Sequence, residues 1–264
     1  MKKLWIGLLI NIQFFTAIPI HASLPMEKEF INSSMRTFPV LGFLQGLIYS
    51  SFVYILLHFS PFSLLAVAFF LWLGTICATG GLHLDGWMDA SDAFFSYQDK
   101  DKRLEIMKDP RIGAFGVLSV LLLLSTKLFF IYEIVQHWQT EDYTFLLLLP
   151  FFSKMVMGIL LIYVPEAKQN GLGSFFKSAA SWHIAVWYLG YLIICFLVLF
   201  FLYQKGLAVF VILLSASIVS YLFLALKMVR WFGGLTGDLL GASVEGTELL
   251  LWASLWLLHY FVMA

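Results

Sequence analysis

Long apolar runs constrain this chain more than any other feature, because each of them must be shielded from water. About 20 mostly apolar residues are needed to span the hydrocarbon core of a bilayer, where a helix satisfies its own backbone groups. By that measure seven runs qualify, so the sequence predicts an all-α, polytopic transmembrane bundle with about seven spanning helices. The runs cover residues 38–58, 62–79, 115–135, 143–164, 184–203, 207–229 and 249–263.

An N-terminal apolar segment, residues 4–20, precedes these runs. It is short and contains Asn11 and Gln13, so a tilted, re-entrant or interfacial helix fits it as well as a full span. Hydrophobic residues make up 61% of the chain, compared with about 45–50% in a soluble domain. We therefore predict a single integral membrane domain over residues 1–264.

The distribution of charge predicts how the bundle is oriented. The 16 basic and 16 acidic residues balance, so no bulk field favours nucleic acid as a partner. Lys and Arg concentrate in loops that stay in the cytoplasm. One set of loops carries almost all of them and the other set holds only Lys205. Two polar regions rich in glycine and acid, residues 80–113 and 230–248, are both predicted to emerge on the cytoplasmic side.

The first of these regions places three carboxylates on one helix face. Asp85, Asp89 and Asp92 are spaced by four and three residues, so on a helix they fall within roughly 60° of one another. Like charges this close repel, and a divalent cation among them would relieve that cost. A solvated acidic helix face outside the membrane is the alternative interpretation of the spacing alone.

The second region repeats the pattern near the end of the chain. If the stretch is helical, Asp238, Glu245 and Glu248 lie within about 80° of one another. Small residues between them allow close helix packing, so a packed helix with a polar cap is the alternative. Six oxygen-bearing side chains without nearby Cys or clustered His suit Mg²⁺ or Mn²⁺ better than zinc. Such a site beside basic residues suits phosphoryl transfer.

Basic residues accompany both acidic regions. Pro110 breaks the helix that precedes it, so Arg111 is presented from a turn where the chain re-enters the bilayer. Lys127 and Lys154 lie within apolar runs, where a charge must be paired, hydrated or able to reach the interface. Reaching the interface is the simpler interpretation for Lys127, whereas Lys154 is expected to face a cavity or a partner.

Several stretches resemble the cobalamin-5′-phosphate synthase family, the adenosylcobinamide-GDP ribazoletransferases. The similarity rests on residues 80–86 with Asp89 and Asp92, on residues 105–113, and on residues 233–242 with Glu245 and Glu248. It extends to residues 14–19 and 38–42 and covers nearly the whole chain. Ala93, where the pattern has Gly, and Ser153-Lys154, where it usually has Ser-Arg, depart from the family.

The resemblance implies a late step of cobalamin (vitamin B12) biosynthesis. The cobinamide phosphate of adenosylcobinamide-GDP is transferred to α-ribazole or α-ribazole 5′-phosphate, and GMP is released. It further implies an Mg²⁺-dependent, multi-pass protein of the cytoplasmic (inner) membrane, surrounded by lipid, whose active site faces the cytoplasm. The sequence leaves open whether the protein forms homo-oligomers.

On this resemblance we expect roles for individual residues. Asp85, Asp89 and Asp238 are expected to hold one or two Mg²⁺ ions. A second group completes the metal shell: Asp92, Glu245 or Glu248. Asp92 is preferred, ahead of Asp89, as the catalytic base. Arg111 and Lys154 are expected to neutralise phosphates, with further candidates at Lys108, Arg36 and His83. For His83, ordering the turn is the alternative role.

Two other functions compete with this one. A CDP-alcohol-type phosphotransferase acting on a lipid head group would also carry a patterned aspartate helix, but it places its aspartates on one compact motif. A membrane transporter would explain Lys154 together with paired acidic sites. Transporters place such groups near the membrane midplane, whereas these acids lie at predicted helix ends.

Overall fold

The computed structural model describes residues 2–167 and 171–261, which fold into helices without any strand. The first six helices are α1 (Lys2–Phe15), α2 (Lys28–Arg36), α3 (Phe38–Phe59), α4 (Leu64–Thr79), α5 (Leu82–Phe95) and α6 (Lys100–Ile106). The others are α7 (Ala114–Gln136), α8 (Glu141–Tyr163), α9 (Leu172–Lys177), α10 (His183–Leu202), α11 (Gly206–Phe232) and α12 (Gly237–Phe261). The all-α prediction is confirmed.

Within the described ranges, five helices are long and apolar enough to cross a membrane: α3, α7, α8, α10 and α11. The bent pair of α4 and α5 could make a sixth span. The predicted number of about seven is therefore not confirmed. The last predicted run continues from the acidic stretch as one helix, α12, whose Asp238, Glu245 and Glu248 lower its apolar character. The end of that run, at Met263, lies outside the described residues.

Pairs of glycines turn the chain at the start of both acidic regions. Gly80 ends α4 and Gly81 begins α5 with φ of 63° and 80°. These left-handed conformations suit glycine, which has no Cβ to clash. They bend α5 by 86° away from α4, and α5 packs against α12 and α7. Gly233, with φ of 81°, ends α11 in the same manner.

Helix α8 forms the centre of the bundle and is buried along most of its length. Helix α3 makes the most extensive contact with it, because Gly42 and Gly46 bring the α3 backbone against the α8 backbone near Pro150 and Leu147. Helices α10 and α11 lie at the periphery and expose large apolar side chains, such as Ile194 and Leu226. Such a surface is suited to contact with lipid tails.

Helix α1 has 14 residues and is thus about 21 Å long, short of the ~30 Å hydrocarbon core. It is not among the helices that could span a membrane, and it packs against α2. The buried Asn11 amide donates to the Ser34 carbonyl at 2.8 Å and to the Thr37 hydroxyl at 2.9 Å. Asn11, one of the two polar residues that made this segment ambiguous, therefore holds it against α2.

Candidate active site

The two acidic regions meet where α5 crosses the beginning of α12. A Cβ atom on Gly86 would lie 2.5 Å from the Asp238 carbonyl oxygen, and one on Gly241 would lie 3.3 Å from the His83 Cα. These glycines allow the two backbones to touch. The contact brings residues more than 150 positions apart in sequence to the same end of the bundle.

A cavity of about 460 Å³ lies beside this crossing. Asp85 and His83 line it from α5, Asp238 lines it from α12, and Lys108 lines it from the turn after α6. Other wall residues come from the end of α1, the start of α3, the C-terminal part of α8 and from α9. The cavity therefore joins both acidic regions to a basic side chain.

The pKa values of Asp89 and Asp238 reflect the other carboxylates around them. The pKa of Asp89 is raised to about 6, first by burial and then by the charges of Asp85, Asp238 and Asp92. The pKa of Asp238 is also raised, chiefly by burial and in part by Asp85, while Lys108 acts in the opposite direction. Asp89 is thus repelled by three other aspartates from two helices, as expected where a cation would bind.

Whether these residues fit a magnesium ion depends on how many ligands they supply. Over residues 2–167 and 171–261, no three His, Cys, Asp or Glu side chains are close enough to hold a metal ion by themselves. Mg²⁺ is commonly held by one or two carboxylates together with substrate phosphates. Asp85 and Asp238, both at the cavity, fit that smaller requirement when a phosphate supplies the remaining oxygens.

His83 connects the cavity to a buried lysine on α8. The fully buried Lys154 ammonium lies 3.0 Å from His83 Nε2. When Lys154 is an ammonium it can only donate, and Nε2 then accepts this hydrogen bond while the neutral ring carries its proton on Nδ1. Burial and the nearby charges of Lys154 and Lys127 lower the pKa of His83, in agreement with a neutral ring. Lys154 lies behind His83 and does not line the cavity.

Asp92 has a structural partner in the next helix. Its two carboxylate oxygens accept from the backbone N–H groups of Gly113 at 2.8 Å and Gly116 at 2.7 Å. They satisfy free donors in the first turn of α7, where a negative charge is also favourable. This engagement differs from the role of catalytic base that the resemblance suggested for Asp92.

Glu245 and Glu248 face the interior of the bundle rather than the cavity. Lys127 Nζ donates to Glu245 at 2.5 Å and to Glu248 at 3.1 Å, and Ser153 donates to Glu248 at 3.3 Å. The expectation that Lys127 reaches the interface is wrong, because its side chain is only 6% exposed and is paired within the bundle. The long side chain of Lys127 could have reached the membrane interface from its apolar run. Its partners, Glu245 and Glu248, lie on another helix, and the sequence does not show which distant helices pack together.

Two of the predicted phosphate ligands lie away from the cavity. Arg111 forms a two-pronged ion pair with Asp109, at 2.9 and 2.6 Å, and its side chain is 87% exposed. This pairing lowers the pKa of Asp109 to about 2. Arg36 lies over the Trp187 ring, 5.6 Å from its centroid. Neither arginine lines the cavity, whereas Lys108 does.

Sequence reasoning did not identify the opposite wall of the cavity. Gln13, Phe14 and Phe15 from α1, and Phe176 from α9, line it together with Thr236. The stretches at residues 14–19 and 233–242, which carry the family resemblance, are the signals that could have found part of this wall. Apolar side chains at helix ends are otherwise indistinguishable from ordinary packing.

The fold and the site define a class of protein: a helical membrane protein with a carboxylate-lined cavity at one end of its bundle. A model of the family described as cobalamin-5-phosphate synthase (CobS) matches residues 7–256, and the chain belongs to this family.

Named relatives agree with the family match over the full length. A protein named adenosylcobinamide-GDP ribazoletransferase from Geobacillus sp. (strain WCH70) is 40% identical, with all of both chains covered. One of the same name from Geobacillus kaustophilus (strain HTA426) is 39% identical over all of both chains. The protein so named from Clostridioides difficile (strain 630) is 30% identical over 96% of this chain and 97% of its own. No solved structure matches this chain.

Proposed function

We propose that this protein is an adenosylcobinamide-GDP ribazoletransferase of cobalamin biosynthesis. Asp85 and Asp238 come from distant parts of the chain and line one cavity with Lys108, and this juxtaposition carries the proposal. The family match over residues 7–256 and the names of its relatives support it.

In the proposed reaction, a hydroxyl oxygen of α-ribazole or its 5′-phosphate attacks the phosphorus that carries the cobinamide. The new oxygen–phosphorus bond replaces the anhydride bond to the second phosphate, and GMP leaves with the electron pair of that bond. The hydroxyl proton passes to a carboxylate. Phosphoryl transfer of this kind needs mainly positioning and neutralisation of charge on the phosphate oxygens.

Four residues at or next to the cavity have roles in this proposal: Asp85, Asp238 and Lys108 line it, and Asp89 lies one turn further along α5. Asp85 and Asp238 hold Mg²⁺, which when bound neutralises charge on the pyrophosphate oxygens. Lys108 binds a phosphate oxygen from the other side. Asp89, one helical turn from Asp85 on α5 and within electrostatic range of both Asp85 and Asp238, takes the proton from the attacking hydroxyl. Asp89 replaces Asp92 in this role because both Asp92 oxygens already bind α7.

The same proposal includes the location of the site. All of the lining residues lie at the end of the bundle whose loops carry most Lys and Arg, so the cavity opens to the cytoplasm by the positive-inside rule. The membrane is the cytoplasmic membrane, where soluble nucleotide substrates reach the cavity from the cytosol.

The test is GMP release by purified protein in detergent with adenosylcobinamide-GDP, α-ribazole and Mg²⁺. Wild type should release GMP and form a cobamide, and chelation of Mg²⁺ should stop both. Asp89→Asn should reduce turnover by at least about 100-fold while the helical circular dichroism is retained. Asp101→Asn changes an exposed acid of α6 and should leave turnover unchanged. Normal turnover by Asp89→Asn would remove this residue from the site.

The alternatives are not favoured. A CDP-alcohol phosphotransferase would use CDP-linked lipid precursors, so release of CMP rather than GMP would support it. A transporter would move a solute across vesicles without nucleotide cleavage. The family match and the names of the relatives point to neither.

A further inference from the structure

The cavity has an aromatic end, formed by Phe14, Phe15, Phe38 and Phe176. Ring centroids lie 5.4 Å apart for Phe15 and Phe38, 5.7 Å for Phe15 and Phe176, and 6.0 Å for Phe38 and Phe176. The rings come from three different helices. Their common position therefore depends on tertiary packing, and together they form one apolar wall.

The aromatic end is next to the part of the cavity lined by Asp85 and Asp238, the acidic end. The Phe15 ring lies 6.2 Å from the His83 ring with an interplanar angle of 21°, and Asp85 follows His83 by two residues on α5. Phe15, His83, Asp85 and Asp238 all line the same cavity, so a flat ring placed against Phe15 would share the cavity with the two carboxylates. A ligand with an aromatic ring at one end and a hydroxyl at the other could contact both ends.

One polar atom in this wall lacks a partner. The Gln13 amide nitrogen donates to the Ile20 carbonyl at 3.0 Å. Its carbonyl oxygen is buried and has no hydrogen-bond partner among the described residues. A buried acceptor left unsatisfied is costly, and a hydroxyl donor from a bound ligand would satisfy it once the Gln13 amide turns towards the cavity that this residue lines.

We propose that the aromatic end binds the base of the acceptor nucleoside, with the sugar directed towards Gln13 and the aspartates. This inference rests on the proposed function and specifies which substrate occupies the cavity. The base of α-ribazole is a dimethylated benzimidazole, which is flat, apolar and free of N–H donors. An aromatic wall with few polar groups suits such a ring.

The size and chemistry of the cavity argue against the donor. Small-molecule pockets occupy about 300–1,000 Å³, so 460 Å³ suits one nucleoside and is far too small for a corrinoid nucleotide. Guanine presents several donors and acceptors on its edge, whereas the polar side chains next to the four phenylalanines are the Gln13 amide and the His83 ring. The guanosine part of the donor is therefore placed outside the aromatic end.

The test compares two Phe→Leu variants by steady-state kinetics with each substrate varied in turn. Phe15→Leu removes a ring at the aromatic end. Phe130→Leu removes a ring that packs on Trp256, 5.3 Å away between centroids, and does not line the cavity. Phe15→Leu should raise KM for α-ribazole roughly tenfold, since base–aromatic stacking contributes at this level. KM for adenosylcobinamide-GDP and kcat should stay within about twofold, and Phe130→Leu should change neither KM.

A binding measurement separates this inference from the reaction itself. Equilibrium dialysis of α-ribazole against the protein, without donor or Mg²⁺, should show about tenfold weaker binding to Phe15→Leu than to wild type, and excess guanosine should not displace it. If wild type releases no GMP, the proposed function fails, while dialysis still tests the aromatic end. Phe14→Leu should give the same direction of change and serves where Phe15→Leu does not fold.

Two results would overturn the inference. An increase in KM for the donor, with KM for α-ribazole unchanged, would place guanine at the aromatic end. The second result is that wild type, Phe14→Leu and Phe15→Leu have the same KM for each substrate and bind α-ribazole equally in dialysis. It would show that no substrate ring occupies the aromatic end.

Discussion

The buried charge cluster around Lys127 gives the sharpest prediction about stability. The side chains of Lys127, Glu245 and Glu248 are 6%, 7% and 14% exposed. Lys154 lies within electrostatic range of both glutamates, so the cluster contains two positive and two negative charges. Replacing Lys127 with Met leaves one negative charge uncompensated inside the bundle.

The expected cost follows from this burial. Breaking a buried ion pair by removing one partner costs about 3–5 kcal/mol. For a chain of this size, that corresponds to a fall in melting temperature of roughly 6–20 °C. The double variant Lys127→Met with Glu245→Gln restores the charge balance, and it should recover at least half of that fall.

The assay is thermal unfolding of the detergent-solubilised protein at neutral pH. Lys205→Met is the matched control, because Lys205 pairs with Glu141 at 3.7 Å and its side chain is 77% exposed. An exposed pair contributes at most about 1 kcal/mol, so this variant should melt within about 4 °C of wild type. If Lys127→Met melts as wild type does, or the double variant is the less stable of the two, the reasoning is wrong.

Three further predictions concern the cavity and its supports. The pKa of Asp89 is raised to about 6, so between about pH 4 and 6 the folded state holds a proton that the unfolded chain has released, and stability falls as pH rises through that window. The melting temperature of the metal-free protein should therefore fall more between pH 4 and 6 in wild type than in Asp89→Asn. Equal changes in melting temperature for the two proteins would contradict this. Asp92→Asn should lower the unfolding free energy by about 1–3 kcal/mol through a lost backbone partner, whereas lost turnover at unchanged melting temperature would restore Asp92 as the base. Gly86→Ala should push α5 away from α12, which lowers the unfolding free energy by about 1–3 kcal/mol and removes most GMP release. Gly190→Ala, with open space around its Cβ, should keep both the stability and the GMP release of wild type.

The sequence by itself determined the membrane helices and the position of the acidic regions along them. Apolar length predicted α3, α7, α8, α10 and α11 to within a few residues, because the thickness of a bilayer sets the length of a span. Helical spacing also placed Asp85 and Asp89 on one face of α5. These are properties of a single helix, so they can be read from local sequence.

Only the tertiary structure decided what each charged side chain contacts. The sequence grouped Asp92, Glu245 and Glu248 with the metal ligands, yet Asp92 binds the start of α7 and both glutamates bind Lys127. Only the resemblance at residues 14–19 pointed to Phe15, and nothing in the sequence indicated that α9 closes the cavity with Phe176. Helical periodicity fixes which residues share a face, but the neighbour of that face depends on how distant helices pack. In a bundle, that packing determines which charges are paired and which remain at the cavity.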